Sequence, residues 1–207
     1  MGRIFAVLKQ VHSNVKRVSA NSAVNATDID TRAVRIRNDV LFPGESLGSS
    51  VTLPMPKGTN TPEKPVILIV CTGNSCRSQI AEGLISNAFG GSVRVYSAGS
   101  NPSGVVHPMA IDVMREIGVI IRRNKSQHWR DLPVDDFDLI VTVCDHADRH
   151  CPLVPTAHGE RMHIPFDDPI RVTGSSETVR QAFRETREQI REILLPAIRE
   201  WVDHWYE

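Results

Sequence analysis

The clearest pattern along the chain begins at Val66. Val66-Ile67-Leu68-Ile69-Val70 is an unbroken, largely β-branched run, the mark of a strand buried on both faces. A turn at Thr72-Gly73-Asn74 follows, then a helical stretch from about Arg77 to Phe89. Val93 to Tyr96 reads as a second strand, and Phe137 to Val143 (FDLIVTV) as a third buried one, with Arg161 to Ile164 a short fourth. Between the second and third, Pro108 suits the first turn of a helix through Ala110, Val113, Met114 and Ile117, closed by Gly118. A last helix is capped by Ser175 or Ser176, carries Glu177 in its first turn and shows an apolar face of Val179, Phe183, Ile190 and Leu194. Pro196 is expected to kink that helix or start a further piece. Strands alternating with helices predict an α/β fold: a four-stranded parallel sheet with helices on both faces, Rossmann-like, joined by right-handed crossovers. In such sheets ligands bind outside the carboxyl ends of the strands, which is where the turn after Val70 falls.

The preceding third of the chain is patterned differently. Ile4, Leu8, Val11, Val15 and Val18 form one helical stripe within residues 1–41, with four basic residues and no acid before Asp28. A short helix packed on the domain or standing in solvent is the favoured reading. An acid-poor amphipathic start of this kind, residues 1–27, is also the form of an organelle-targeting peptide. Residues 42–65 hold five prolines and three glycines among Ser, Thr and Asn, and read as a linker. The expected organisation is therefore an N-terminal extension (1–41), a linker (42–65) and one domain (66–207).

Composition narrows the function classes. Lys+Arg and Asp+Glu balance at 24 each in 207 residues, so no basic field points to nucleic acid. No apolar run approaches the roughly 20 residues needed to cross a bilayer, and no membrane association is expected. Four cysteines are too few for a disulfide scaffold and fit catalytic use in a reducing compartment. A cytoplasmic location and a monomer are expected.

The chemistry concentrates in Cys71-Thr72-Gly73-Asn74-Ser75-Cys76-Arg77-Ser78, between the first strand and the first helix. Cys, five residues, then Arg is a phosphate-sized oxyanion cradle. Its loop N–H groups and the helix N-terminus face the anion, and Arg77 offers a planar fork of donors. The same field is expected to lower the pKa of Cys71 and supply a thiolate nucleophile. Gly73 is expected to permit the tight turn, and the Ser78 hydroxyl to donate to the thiolate. A buried cysteine at a strand end is often mere packing, but this turn with Arg at this spacing disfavours that.

VCTGNSCRSQIAEG, together with YSAGS at 96–100, FDLIVTVCD at 137–145 and FDDP at 166–169, resembles the low-molecular-weight protein tyrosine phosphatase family over residues 66–195. Gln79 and the Thr-Gly-Asn-Ser core favour its branch of thioredoxin-coupled arsenate reductases. Cys144 and Cys151 match the redox pair of that branch, and Asp168-Pro169 is followed by Ile170-Arg171 rather than the tyrosines with which phosphatases grip aromatic substrates. The resemblance implies a thiol relay in which Cys71 attacks arsenate, Asp168 donates a proton, Cys144 releases arsenite by forming a disulfide with Cys71, and Cys151 passes the disulfide on to thioredoxin. Asp167 is assigned to orienting the loop, and Cys76 to no step of turnover. Some members hold potassium at positions matching Asn74, Glu82, Ser97 and an aspartate. Here the aspartate position carries uncharged Gln127, which argues against that site, so neither cofactor nor metal is expected.

Two rivals are weighed against this. One is a phosphatase acting on tyrosine or small phosphoesters with incidental cysteines. The other is a zinc module built from Cys144, His146, His150, Cys151 and His163, whose spacings match no common zinc pattern. His107, His128, His158 and His204 are expected at the surface, and Trp201 and Trp205 as helix packing or a contact surface.

Overall fold

Central strand β1 (Val66–Cys71) is buried at every position, as its uninterrupted apolar run requires. In the computed structural model, which describes residues 63–144, 154 and 159–207, β1 is followed by α1 (Arg77–Phe89), β2 (Arg94–Gly99), α2 (Pro108–Glu116), β3 (Leu139–Thr142), β4 (Glu160–His163) and α3 (Ser176–Trp205). Single 3-10 turns at Trp129–Asp131 and Pro169–Arg171 punctuate the connections. The sheet order is β2-β1-β3-β4 and every pairing is parallel, as the alternation of strand and helix predicts. The N-terminal stripe and all of the linker before residue 63 lie outside the described residues, as does the segment that carries His146, His150, Cys151 and His158.

Register decides where the chemistry meets. Cys71 pairs with Gly99 on one side, and on the other Val70 pairs with Thr142. The Val143 N–H then donates to the Val70 carbonyl at 3.0 Å. Cys71 and Cys144 therefore leave neighbouring strands at the same carboxyl edge. β2 runs three residues beyond the predicted Tyr96, through Ser97-Ala98-Gly99, because pairing with β1 continues to Cys71. Small residues of weak strand propensity hide that extension from a reading of the sequence.

The helices form around the same apolar stripes that predict them. α1 lies along β1 and β2, and all three helices pack against one another. At Gly83 of α1 a Cβ would lie 2.6 Å from Ile121 and 3.0 Å from Met114, so only glycine lets the α2 region seat this closely. α2 is closed by Gly118 at φ +76°, as predicted. Arg187 of α3 is buried, and it donates to the Val113 carbonyl and to Glu116, fastening α3 to the end of α2. α3 is capped by the Ser175 side chain, which accepts from the Thr178 N–H. It runs as one helix of 30 residues through Pro196, so no separate piece starts there. Leu194, Ala197, Ile198, Trp201 and Val202 are all buried on its far half. That burial, at about 1.5–3 kcal/mol for each large side chain, outweighs the roughly 3 kcal/mol that an interior proline costs. Trp201 packs in the core while Trp205, its ring 5.5 Å away, is 44% exposed. No helix among the described residues is long and apolar enough to cross a membrane.

Candidate active site

The loop from Cys71 to Cys76 wraps the space in front of the α1 N-terminus. α1 has no side-chain cap, since Cys76 occupies the N-cap position without a side-chain hydrogen bond to the helix. Its leading N–H groups are thus left for an anion or a thiolate. The Cys71 sulfur is buried and sits 3.0 Å from the Ser78 hydroxyl, with the Asn74 N–H donating to it at 3.1 Å. The expectation of a lowered Cys71 pKa is not met. Burial is the largest influence and pushes the thiol up. The Ser78 hydroxyl and the backbone N–H groups of Ser78 and Asn74 pull it down without overcoming burial, and the neighbouring Cys144 adds to the rise. Cys76 is pushed up to about 12, again chiefly by burial.

The tight point of the loop is Asn74, at φ +46°, and not Gly73 as predicted. A Cβ on Gly73 would make only an ordinary contact with Ser75. Asparagine tolerates the left-handed region best of the residues with side chains, and here its own bonds hold it there. The buried Asn74 amide donates to Ser78 at 3.0 Å and to Ser97 at 2.8 Å, and its Oδ1 accepts from the Gln127 N–H at 2.9 Å. Gln79 donates to the Asn74 carbonyl at 3.2 Å and to the Lys125 carbonyl at 2.9 Å, locking the loop to the segment after α2. Gly99 permits the close approach that completes the loop: a Cβ there would lie 2.5 Å from the Thr72 carbonyl oxygen. Gln79, which the sequence marks only by its resemblance to the branch, and Gly99, which pattern reading passes over, are structural members of the site. The Gly in YSAGS was the available signal, but nothing in a single sequence says what approaches it.

Arg77 reaches across to the acid loop. Its guanidinium donates to Asp168 at 2.9 Å and to the Phe166 carbonyl at 2.9 Å. Asp168 in turn caps the 3-10 turn after it by accepting from the Ile170 N–H at 3.3 Å. Asp167 is exposed and also lines the cleft. The cleft encloses about 370 Å³ and is shared by Cys71, Arg77, Asp168 and Cys144. Cys144 is a buried free thiol whose sulfur lies 3.5 Å from the Thr72 hydroxyl. Of the residues predicted for the site, only Cys151 lies outside the described residues.

Glu82, Ser97 and Asn74 also come together as the sequence indicated. Ser97 donates to Glu82 at 2.6 Å and accepts from Asn74, so a hydrogen-bonded line joins Glu82 to Ser78 and Cys71. Burial raises the Glu82 pKa to about 7 against the bond from Ser97. Among the described residues no cluster of three or more His, Cys, Asp or Glu side chains is placed to hold a metal. Two of the predicted surface histidines, both partly exposed, also cap helices. His107 accepts from the Met109 N–H at 3.2 Å and stacks on Phe183 with centroids 4.9 Å apart, and His128 accepts from the Arg130 N–H at 3.2 Å.

A buried cysteine opening an anion-sized loop at the end of a central parallel strand, spanned by an arginine and faced by an aspartate, has the layout of a phosphatase-type oxyanion site. Residues 66–200 match the low molecular weight phosphotyrosine protein phosphatase family, and the chain belongs to it. The chain is 42% identical over 127 residues to an arsenate reductase of Halalkalibacterium halodurans, covering 61% of this chain and 90% of that protein. It is 39% identical over 128 residues to an arsenate reductase of Bacillus subtilis, covering 62% and 91%. A solved arsenate reductase in a phosphate-binding state superposes with a TM-score of 0.56 at 29% identity, over 66% of this chain and 98% of that one.

Proposed function

We propose that this protein reduces arsenate to arsenite with thiols of its own, regenerated by thioredoxin, and that its role is arsenic detoxification. The observation that carries the reading is Cys144. A phosphatase needs one nucleophilic thiol, whereas here, besides the two cysteines of the loop itself, Cys144 brings a further buried thiol from just past the end of β3 onto the same cleft. The relatives named above, all arsenate reductases, support the same reading.

The steps follow from the placement. Arsenate, a tetrahedral dianion, sits in the loop against its N–H groups and Arg77, which leaves Asp168 for the anion. The Cys71 thiolate attacks arsenic, and Asp168 gives the proton with which one oxygen departs as water. Cys144, as thiolate, attacks the Cys71 sulfur: a disulfide forms, the sulfur–arsenic bond breaks, and its electron pair stays on arsenic as arsenite leaves. Two thiols have then supplied the two electrons that take arsenic from the +5 to the +3 state. Cys151 attacks Cys144 in turn, freeing Cys71, and a thioredoxin dithiol reduces the Cys144–Cys151 disulfide by exchange. The protein acts as a cytoplasmic monomer, and no resident metal or cofactor enters these steps.

The test is arsenate-dependent NADPH oxidation with thioredoxin and thioredoxin reductase, run beside p-nitrophenyl phosphate hydrolysis. Wild type is expected to turn over, and Cys144→Ser and Cys151→Ser to stop after at most one event. Brisk ester hydrolysis indifferent to both cysteines, with no response to arsenate, would make the protein a phosphatase instead.

A further inference from the structure

Four charged side chains line the cleft: Arg77 and Arg171 against Asp167 and Asp168. They do not contribute equally. The Arg77 guanidinium is already committed, donating to Asp168 and to the Phe166 carbonyl at 2.9 Å each, with side-chain exposures of only 12% for Arg77 and 22% for Asp168. Much of its positive field is therefore cancelled at short range. Asp167, without an ion pair among the described residues, adds a negative charge at the mouth. The Arg171 side chain is exposed and forms no ion pair or hydrogen bond among the described residues, yet it borders the same cleft. The backbone holds it there: the Arg171 N–H donates to the Asp168 carbonyl at 3.1 Å within the 3-10 turn that Asp168 caps.

We infer that Arg171 is a specificity-determining residue, the uncommitted cation that draws a tetrahedral dianion into the cleft before Arg77 exchanges Asp168 for the anion. The inference deepens the oxyanion-reductase reading of the site and rests on it. With Arg171 the four charges sum to zero; without it they sum to −1, and the mouth repels a dianion. Screened attraction at an exposed site is modest, so the effect belongs in capture and not in chemistry. A guanidinium fork also matches two oxygens of the anion, which a ring-bearing ester would have to reach past Ile170, itself 49% exposed at the same mouth.

The experiment titrates inorganic phosphate into the full-length protein by calorimetry at low and moderate ionic strength, with arsenate turnover measured in parallel. Arg171→Gln is expected to raise the phosphate Kd and the arsenate KM about fivefold at low ionic strength, to flatten the salt dependence and to leave kcat within about twofold. Arg171→Lys should keep most of the affinity. Arg122→Gln, an exposed arginine away from the cleft, should change neither. Unchanged phosphate affinity and salt dependence in Arg171→Gln overturn the inference, as does a loss confined to kcat. If phosphate binding depends on Arg171 as described but arsenate is not reduced, the inference about capture stands and the reductase reading falls.

Discussion

At the scale of single residues the site is a contest between burial and hydrogen bonding at one sulfur. Cys71 lies where the nucleophile must lie, and the same enclosure that excludes water raises its pKa. Ser78 contributes the strongest opposing influence, through both its hydroxyl and its N–H. Ser78→Ala removes the hydroxyl and should push the Cys71 pKa further up. At neutral pH a smaller thiolate fraction then slows alkylation of Cys71 by iodoacetamide about tenfold, the equivalent of one pKa unit. The rate in the variant should recover as pH rises. An unchanged alkylation profile would show that the backbone N–H groups alone set the thiolate. Asn74 illustrates a different residue-scale economy: one amide holds the left-handed turn, orients Ser78 and joins the line to Ser97 and Glu82.

At the scale of elements, the active-site loop keeps its shape because β2 extends beside it. Gly99 ends that strand with no side chain, and the Thr72 carbonyl and Asn74 occupy the space a Cβ would take. Gly99→Ala should displace the loop while the sheet survives. Arsenate kcat/KM is expected to fall on the order of a hundredfold, as misplacements near 1 Å in a reacting group can produce. Gly91→Ala, where nothing lies within 4 Å of the added carbon, serves as the comparison and should be close to neutral. Equal activity in the two variants would remove the argument for close approach. The α2–α3 contact rests on the buried Arg187 and the core face of α3 more than on the outer ion pairs of Glu116 with Arg180 and Arg184, since exposed pairs contribute little.

Across the whole molecule, equal numbers of acidic and basic residues leave no long-range field to attract an anion, so capture depends on charges local to the cleft. Stability should carry a signature from Glu82. Its folded pKa of about 7 lies above the ordinary 4.5, so the native state holds a proton that the unfolded chain releases. The stability this group contributes is complete below pH 4.5 and is lost as pH rises through about 7. Denaturant unfolding of wild type and Glu82→Gln at several pH values isolates the effect. The difference between them should change by about 3 kcal/mol across that window, with wild type losing ground toward alkaline pH. A constant difference would mean that Glu82 is solvated enough to titrate normally. Taking the difference cancels the lowered pKa values of Glu116 and His107, whose own pH dependence runs the other way.

Much of this could be read in the sequence because it is written locally. The β-branched run of β1, the Cys-to-Arg spacing of the cradle, the cap at Ser175 and the stop at Gly118 each depend on neighbours a few residues away. The 66–200 family match bears out the resemblance drawn from those same segments. Whatever depended on residues distant in the chain was decided only by the fold. The length of β2 was set by its partner strand, and the continuity of α3 through Pro196 by the core it covers. The direction of the Cys71 pKa followed from how completely the fold buries one sulfur. Periodicity and spacing encode the local terms of the free energy; register, burial and close approach arise only when segments distant in the chain are brought into contact.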